Sequence, residues 1–446
     1  MNLLAKEASA GDRVKVIAKD SDYEGILMPE EKEFLILKLD SGYNVGIAKA
    51  NVKEIKLLAE KKEPAKQEIK PLPKRALPKL SILHTGGTIA SKVDYNTGAV
   101  VARFSPEELI TMFPELGEVA SISSRLISNM FSEDLRFSHY NIIAKEIEKE
   151  ISLGAQAVIV THGTDTLHYT SAALAFMLQN LPVPVILVGS QRSSDRPSTD
   201  AALNLVSAAF FATRSDFAGV AVCMHESVND DSCVILPATK CRKMHSSRRD
   251  AFKAINALSL ARVNFVERKI EFLGKNYAKK GGAKEKSKLK LLLMNENLKI
   301  GILKVHPNMI SQEVSAYKGF DGLIVEGTGL GHLPINEIDA ITKEHLKIFD
   351  VAKELIKQGT VVAMASQTIY GEIDMNVYAT GRKLLEAGVI GNYCDMTPET
   401  AFIKLAWVLS NYPKERTKKM FEENIVGEIS ERLENIEKIN CEKKKE

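Results

Sequence analysis

Two threonine-glycine motifs constrain this chain more than any other feature of it. One is Leu80-Ser-Ile-Leu-His-Thr-Gly-Gly-Thr-Ile-Ala90 and the other is Ala157-Val-Ile-Val-Thr-His-Gly-Thr-Asp-Thr166. In each, a hydroxyl-rich turn follows directly on a short apolar run. Apolar runs of this kind, at Leu80 to Leu83, Ala157 to Val160, Val183 to Val188 and Gly219 to Val222, read as buried parallel strands with helices on both faces. The stretch Asn141 to Ile151 places Ile142, Ile143, Ile147 and Ile151 on roughly one face with Lys and Glu opposite, which predicts a crossover helix. The predicted class is therefore α/β. In open α/β sheets ligands bind at the carboxyl ends of the strands, so the two turns are expected to open onto one pocket.

The turns carry chemistry of one type. Gly86 and Gly87 remove side chains, so the backbone can approach a ligand closely and present Thr88 at the strand end. Thr164 and Asp165 stand in the same context, before a helix expected to begin near Thr170. A threonine hydroxyl is a weak nucleophile. It needs a base, a charged group that tunes the base, and donors for a developing oxyanion. Backbone amides of the glycine turn can serve as the oxyanion site, and Thr239-Lys-Cys-Arg-Lys-Met-His-Ser-Ser-Arg-Arg-Asp-Ala-Phe252 supplies lysines. Taken singly, a Gly-Gly turn fits a tight strand-to-helix connection, an Asp fits a helix cap, and the basic segment fits a solvated loop.

Outside this core, residues 1 to 60 alternate short β-type runs with turns: Arg13 to Ala18, Tyr23 to Met28, Phe34 to Leu39, Tyr43 to Ile47 and Val52 to Leu57. Five short strands in so little chain predict a small β-barrel domain over 1–60. Residues 61–79 hold Pro64, Pro71, Pro73 and Pro78 among lysines and predict an extended linker. A larger domain is expected over 80–290, ending in a lysine-rich excursion from Arg268 to Lys290. A smaller α/β domain is expected over 291–440, with strands at Lys299 to Val305, Gly322 to Val325 and Val361 to Met364, helices at Leu346 to Lys357 and Pro398 to Ser410, and a terminal helix after Lys414.

Composition narrows the function classes. A net charge of +3 argues against a surface devoted to nucleic acid. No apolar stretch reaches membrane-spanning length and the N-terminus lacks a secretory layout, so a cytoplasmic protein is expected. The five cysteines are scattered without a Cys-x-x-Cys pair, which suggests reduced thiols and no metal site.

In order and spacing, Thr-Gly-Gly-Thr-Ile-Ala, His-Gly-Thr-Asp-Thr and Lys-Met-His-Ser-Ser-Arg-Arg-Asp-Ala-Phe resemble the L-asparaginase/glutaminase family from about Leu80 to about Ser410. The resemblance implies a nucleophile at Thr88 with Thr85 structural, and a binding and activating pair at Thr164 and Asp165. It implies a catalytic lysine nine residues before a phenylalanine, which selects Lys243 over Lys240. It further implies a lid tyrosine at Tyr95 and a grip on the α-amino and carboxylate groups of the substrate by Ser132 and Glu133, beside Gly87. The implied reaction is two-step amide hydrolysis of glutamine or asparagine, and the sequence leaves open whether Thr88 or Thr164 attacks first. A homodimeric core is also implied.

The barrel sequence, with Gly11-Asp-Arg-Val-Lys-Val, Tyr23-Glu-Gly-Ile-Leu-Met-Pro and Leu35-Ile-Leu-Lys-Leu-Asp-Ser-Gly-Tyr-Asn-Val-Gly-Ile47, extends the resemblance to nearly the whole chain. Barrel and core together look like the D-subunit family of archaeal glutamyl-tRNA(Gln) amidotransferases: a small SH3-like barrel before an asparaginase-like core. This resemblance implies ammonia release for a partner, the amidotransferase E subunit, in a heterotetramer with two copies of each. ATP, Mg2+ and Glu-tRNA(Gln) are then expected mainly at the partner, with no cofactor in this chain, which has no Gly-x-x-x-x-Gly-Lys-Ser/Thr loop. Two alternatives are a free-standing cytoplasmic L-asparaginase and a non-enzymatic tRNA-binding scaffold.

Overall fold

A computed structural model describes residues 8–28, 33–39, 44–59, 77–87, 89, 91–93, 100–102, 105–194, 198–274, 276–281 and 288–431. The expected linker falls outside them up to residue 76, as does the end of the chain from residue 432.

The N-terminal strands Arg13–Ala18, Asp22–Leu27, Phe34–Lys38, Asn44–Ala48 and Val52–Ala59 form one antiparallel five-stranded sheet. The first strand lies between the second and the fifth, pairing Val14 with both Gly25 and Leu57. Side chains alternate along it, so Val14, Val16 and Ala18 point inward with Leu37 and Ile47 to make a small core of their own. Two register shifts, at Arg13/Val14 and Ile17/Ala18, bend this strand around that core. Gly25 is needed for the closeness of the strands: a Cβ there would lie 2.5 Å from the Lys38 carbonyl oxygen.

The larger domain is built on an eight-stranded sheet. Strands Ser121–Leu126, Lys79–His84, Ala157–Thr161, Pro184–Val188 and Gly219–His225 lie side by side and parallel. Ala157–Thr161 and Pro184–Val188 are buried at every position, as continuous apolar runs require. The sheet is not parallel throughout. Cys233–Pro237, Ala261–Asn264 and Lys269–Phe272 continue it antiparallel. Lys269–Phe272 also corrects the expected excursion: its alternating Lys, Ile, Glu and Phe make it the edge strand of this sheet. Ser121–Leu126, too polar to stand out in sequence, is the opposite edge.

Helices Phe137–Ser152, Leu167–Met177 and Ala201–Arg214 pack on the sheet. In the first of these, Ile143 and Ile147 face the core as expected, but Ile142 is 46% exposed, and Tyr140 and Ala144 complete the apolar stripe. The second helix starts at Leu167, three residues before the expected Thr170, because Leu167 and His168 already belong to its buried face.

The smaller domain has a parallel sheet of Ile300–Lys304, Gly322–Gly327 and Val361–Ser366 with helix Glu344–Gln358 against it. Helix Pro398–Asn411 is not confined to that domain. Its Ile403, Ala406, Trp407 and Val408 fill the core of the larger domain, where Trp407 stacks on Phe176 at 5.4 Å, while Ala401 and Leu405 pack on Ile324 and Ala363 of the smaller sheet. Its Lys404 is buried with Glu428, 2.6 Å away. The expected terminal helix is Thr417–Glu422.

Candidate functional site

The site is assembled where parallel strands of the larger sheet end. Strand Lys79–His84 leads into Thr85, Gly86 and Gly87; strand Ala157–Thr161 leads into His162, Gly163, Thr164 and Asp165; strand Pro184–Val188 leads into Gly189, Ser190 and Gln191. The turns pack backbone to backbone. Gly87 has φ +84°, and a Cβ there would lie 2.8 Å from the Gly163 nitrogen; Gly86 has φ +117°, and a Cβ there would lie 2.4 Å from the Met130 carbonyl oxygen. Only glycine fits such positions without strain. Thr85 is buried and its hydroxyl donates to the Thr161 carbonyl at 2.9 Å, which ties the first turn to the second strand.

Lys243, at the end of strand Cys241–Lys243, reaches the second turn. Its Nζ donates to Thr164 Oγ1 at 2.9 Å and to Asp165 Oδ1 at 2.8 Å. The Lys243 side chain is only 10% exposed while that of Asp165 is 67% exposed, so the ammonium sits at the inner end of the pair and the carboxylate at its mouth. Lys240 lies elsewhere: it is buried in an ion pair with Asp395 at 2.5 Å and donates to Ser430.

Ser132 is buried beside the same turn. Its Oγ accepts from the Thr166 amide at 3.3 Å, its carbonyl accepts from the Thr166 hydroxyl at 2.6 Å, and a Cβ on Gly163 would lie 2.9 Å from its Cβ. Glu133 is exposed, with Oε2 3.5 Å from Ser132 Oγ. Thr88 and Tyr95 lie outside the described residues. The structure thus brings together Gly87, Ser132, Thr164, Asp165 and Lys243, with Glu133 at the edge.

Three buried imidazoles underlie these turns. His84 bridges Thr161 Oγ1 and Ser124 Oγ, and His162 bridges the Gly163 carbonyl and Thr170 Oγ1. Burial lowers His84 to about 3, and lowers His162 and His168 to about 4, so all three are neutral near pH 7. His84 and His162 act as fixed dipoles that hold the turns, and none of the three contacts Lys243 through a hydrogen bond among the described residues.

Several contributors carry no mark in the sequence. Gln191 faces the site, its Oε1 3.5 Å from Thr164 Oγ1, and a Cβ on Gly189 would lie 2.8 Å from Thr164 Cγ2. The Gly-Ser-Gln turn after the run Val183 to Val188 repeats the pattern of the two threonine motifs and is the signal that points to it. Arg242, the neighbour of Lys243, donates from Nε to Glu399 Oε1 at 2.9 Å; nothing local to either residue announces that pairing. Among the described residues no group of three or more His, Cys, Asp or Glu side chains is arranged to hold a metal ion, and no helix is long and apolar enough to cross a membrane.

Comparison with known proteins bears on the whole chain. Residues 79–277 match the family described as Asparaginase, N-terminal; residues 299–421 match the Glutaminase/Asparaginase C-terminal domain; residues 8–58 match the GatD N-terminal domain. Among curated relatives, the D subunit of glutamyl-tRNA(Gln) amidotransferase from Pyrococcus furiosus is 44% identical, the alignment covering 96% of each chain. The protein of the same name from Methanococcus maripaludis is 43% identical over 95% of this chain and 98% of its own. Among solved structures, the thermostable L-asparaginase from Thermococcus kodakarensis superposes with a TM-score of 0.68 at 30% identity, covering 79% of this chain and 100% of that one. L-asparaginase I from Vibrio cholerae gives the same score at 27% identity, covering 80% of this chain and 100% of that one. With an asparaginase-type core preceded by the GatD N-terminal domain, and with such relatives along nearly its full length, the chain belongs to the D-subunit family of glutamyl-tRNA(Gln) amidotransferases.

Proposed function

We propose that this chain is the amidohydrolase component of a tRNA-dependent amidotransferase, releasing ammonia from glutamine or asparagine for the conversion of Glu-tRNA(Gln) to Gln-tRNA(Gln). The observation that carries the reading is the pair of hydrogen bonds from Lys243 to Thr164 and Asp165 at the edge where the sheet opens. A threonine hydroxyl, of Thr88 or Thr164, attacks the side-chain amide carbon. Its proton passes through the Thr164–Lys243–Asp165 relay to the leaving nitrogen, ammonia departs, and water cleaves the acyl-enzyme. Nearly buried Lys243 is placed for that relay, its Nζ within hydrogen-bond distance of both the Thr164 hydroxyl and the Asp165 carboxylate. Backbone amides of the glycine turn face the developing oxyanion. Ser132 and Glu133 bind the α-amino and carboxylate groups beside Gly87, and Tyr95 closes over the substrate.

In this reading residues 1–60 are the barrel, 61–79 the linker, 80–290 the catalytic domain and 291–440 the smaller domain. The partner is the amidotransferase E subunit, two copies with two of this chain in the cytoplasm around a homodimeric core, and it holds ATP, Mg2+ and most of the contacts to tRNA. The similarity to the solved L-asparaginases covers 79–80% of this chain and all of theirs, whereas the D-subunit relatives cover 95–96% of it and the GatD N-terminal domain matches residues 8–58. That difference favours the amidotransferase over a plain asparaginase. The Thr164–Asp165–Lys243 geometry favours an enzyme over a scaffold.

The test is ammonia release from glutamine and from asparagine, with and without the E subunit and Glu-tRNA(Gln), for the native chain and for Thr88→Ala, Thr164→Ala and Lys243→Ala. The reading expects release that rises with partner and tRNA and falls by about a hundredfold or more in each variant. Acid-quenched mass spectrometry with a slow substrate locates the acyl group on Thr88 or Thr164. Full partner-independent turnover of asparagine would make the chain an asparaginase instead.

A further inference from the structure

Beneath the site runs a buried chain of polar groups that the proposed reaction does not use. Asp200, fully buried, accepts the backbone N–H of Gln191 on both carboxylate oxygens, at 3.0 and 2.9 Å, and that of Arg192 at 3.0 Å. Its Oδ2 also accepts from Asn204 Nδ2 at 3.1 Å, and the same nitrogen donates to the Gly189 carbonyl at 3.0 Å. Asp200 and Asn204 thus hold the turn Gly189 to Arg192 from beneath. Because a Cβ on Gly189 would touch the Thr164 methyl, any shift of this turn is a shift of the surface on which Thr164 rests.

Asn204 can serve in this way in only one orientation. Its amide nitrogen has two acceptors, so its oxygen faces the other way, toward His225 Nδ1 at 2.6 Å and the Cys233 thiol at 3.4 Å. The other ring nitrogen of His225 lies 3.2 Å from Asp230 Oδ1, an oxygen that also accepts from Arg249 Nη1 at 2.5 Å. Both ring nitrogens of fully buried His225 therefore point at oxygen acceptors. A neutral imidazole has one donor and one lone pair, and would set that lone pair against one of them; only the imidazolium satisfies both.

We infer that His225 is held as a buried imidazolium and acts as a positioning residue, fixing Asn204 and Asp200 and through them the turn at Gly189 to Arg192 against Thr164. The inference rests on Thr164 belonging to the hydrolytic site. The surroundings agree with it. The groups that face His225 are Asp230 from the loop, with Arg249 behind it, Asn204 and Asp200 from the helix side, and Cys233 from the adjacent strand, with Cys223 beyond. Burial alone would lower the imidazole, but Cys233 when its sulfur is ionised, together with the carboxylates of Asp230 and Asp200, outweighs it and raises it above its ordinary value. The chain of contacts also explains Arg249, which belongs to the same conspicuous segment as Lys243: the segment grips the site once through Lys243 and again, from beneath, through Asp230 and His225. When His225 loses a proton, only one of Asn204 and Asp230 keeps a donor, and the chain of contacts that fixes the turn is weakened.

The experiment uses the full chain in complex with the E subunit, glutamine as substrate, and 15N-labelled histidine. Imidazole 15N shifts, assigned by the signal lost in His225→Gln, report its protonation directly. The expected result is a doubly protonated ring at pH 7 and a midpoint above the ordinary histidine range, matched by a descending alkaline limb in kcat with KM within about twofold. Glutamine can donate to only one of the two acceptors, so His225→Gln should lack this limb and run at the high-pH level of the native enzyme, about tenfold below its kcat at pH 7. A neutral ring at pH 7, or an alkaline limb unchanged in His225→Gln, overturns the inference. Thr164→Ala separates the two readings. If it leaves ammonia release intact the site assignment fails, and if it abolishes release while the limb survives in His225→Gln, only the positioning role of His225 fails.

Discussion

Arg242 and Glu399 join strand Cys241–Lys243 to the shared helix: Nε of the one lies 2.9 Å from Oε1 of the other, across 157 residues of chain. Lys243 is the next residue along. The reach of its Nζ to Thr164 thus depends on a contact made by the first turn of helix Pro398–Asn411. Glu399→Ala should cost about 1–3 kcal/mol of stability, less than breaking a fully buried pair because Arg242 is partly exposed. It should also lower kcat for ammonia release more than it raises KM. Denaturant unfolding and steady-state kinetics on one preparation measure both.

The two lysines of the segment are expected to part company. Lys243→Met should remove ammonia release by about two to four orders of magnitude with little change in folding. Lys243→Arg should not rescue it, since a guanidinium keeps its proton. Lys240→Met should do the reverse. It strands Asp395 in a buried site, costing about 3–5 kcal/mol, while the protein that remains folded keeps its activity. Comparing thermal midpoints with turnover per folded molecule distinguishes the pair.

Gly189→Ala tests the packing under Thr164. The new Cβ would meet the His162 carbonyl and the Thr164 methyl, each at 2.8 Å, and neither can move without moving the site. A destabilisation of about 1–3 kcal/mol is expected, with a fall in kcat of about tenfold or more. Gly154→Ala is the contrast, a glycine in open space: unlike Gly189 it has a positive φ, +90°, and no atom lies within 4 Å of the added Cβ, so only the backbone cost should be seen.

Acid should weaken the larger domain well above the carboxylate range. His84, His162 and His168 titrate near 3, 4 and 4 in the folded protein against about 6.5 when unfolded. Between those values the unfolded chain binds more protons than the folded one, so stability falls as pH drops from about 6.5 toward 4, by roughly 3 kcal/mol for each imidazole taken alone. Urea titrations at pH 7, 6, 5 and 4 check the slope, and His84→Asn should flatten it.

What can be read from the sequence is local. Continuous apolar runs before Gly-Thr turns announce the parallel strands and the edge at which they open, and strict alternation in Arg13–Ala18 announces a sheet with a core of its own. The antiparallel continuation of the main sheet is hidden because Lys269–Phe272 sits among lysines and alternates over only four residues. Lys240 and Lys243 look alike in composition, yet three residues of extended chain turn side chains to opposite faces, one toward Asp395 and the other toward Thr164. The support beneath the site is illegible for a different reason. Asp200 with Asn204, His225 with Asp230, and Arg249 come from three stretches of chain, and each residue alone is an ordinary polar one. Only tertiary packing makes them one chain of contacts.

Helix Pro398–Asn411 has a consequence for how this protein is born. Because Ile403, Ala406 and Trp407 are part of the floor on which Phe176 and Leu174 pack, the larger lobe leaves the ribosome with its main core unroofed, and it stays so while the entire smaller sheet is being synthesised. The two lobes therefore cannot mature in order of synthesis; the first is completed by a helix made only after the smaller sheet, and a fragment ending before that helix exposes an apolar surface that invites chaperones or aggregation.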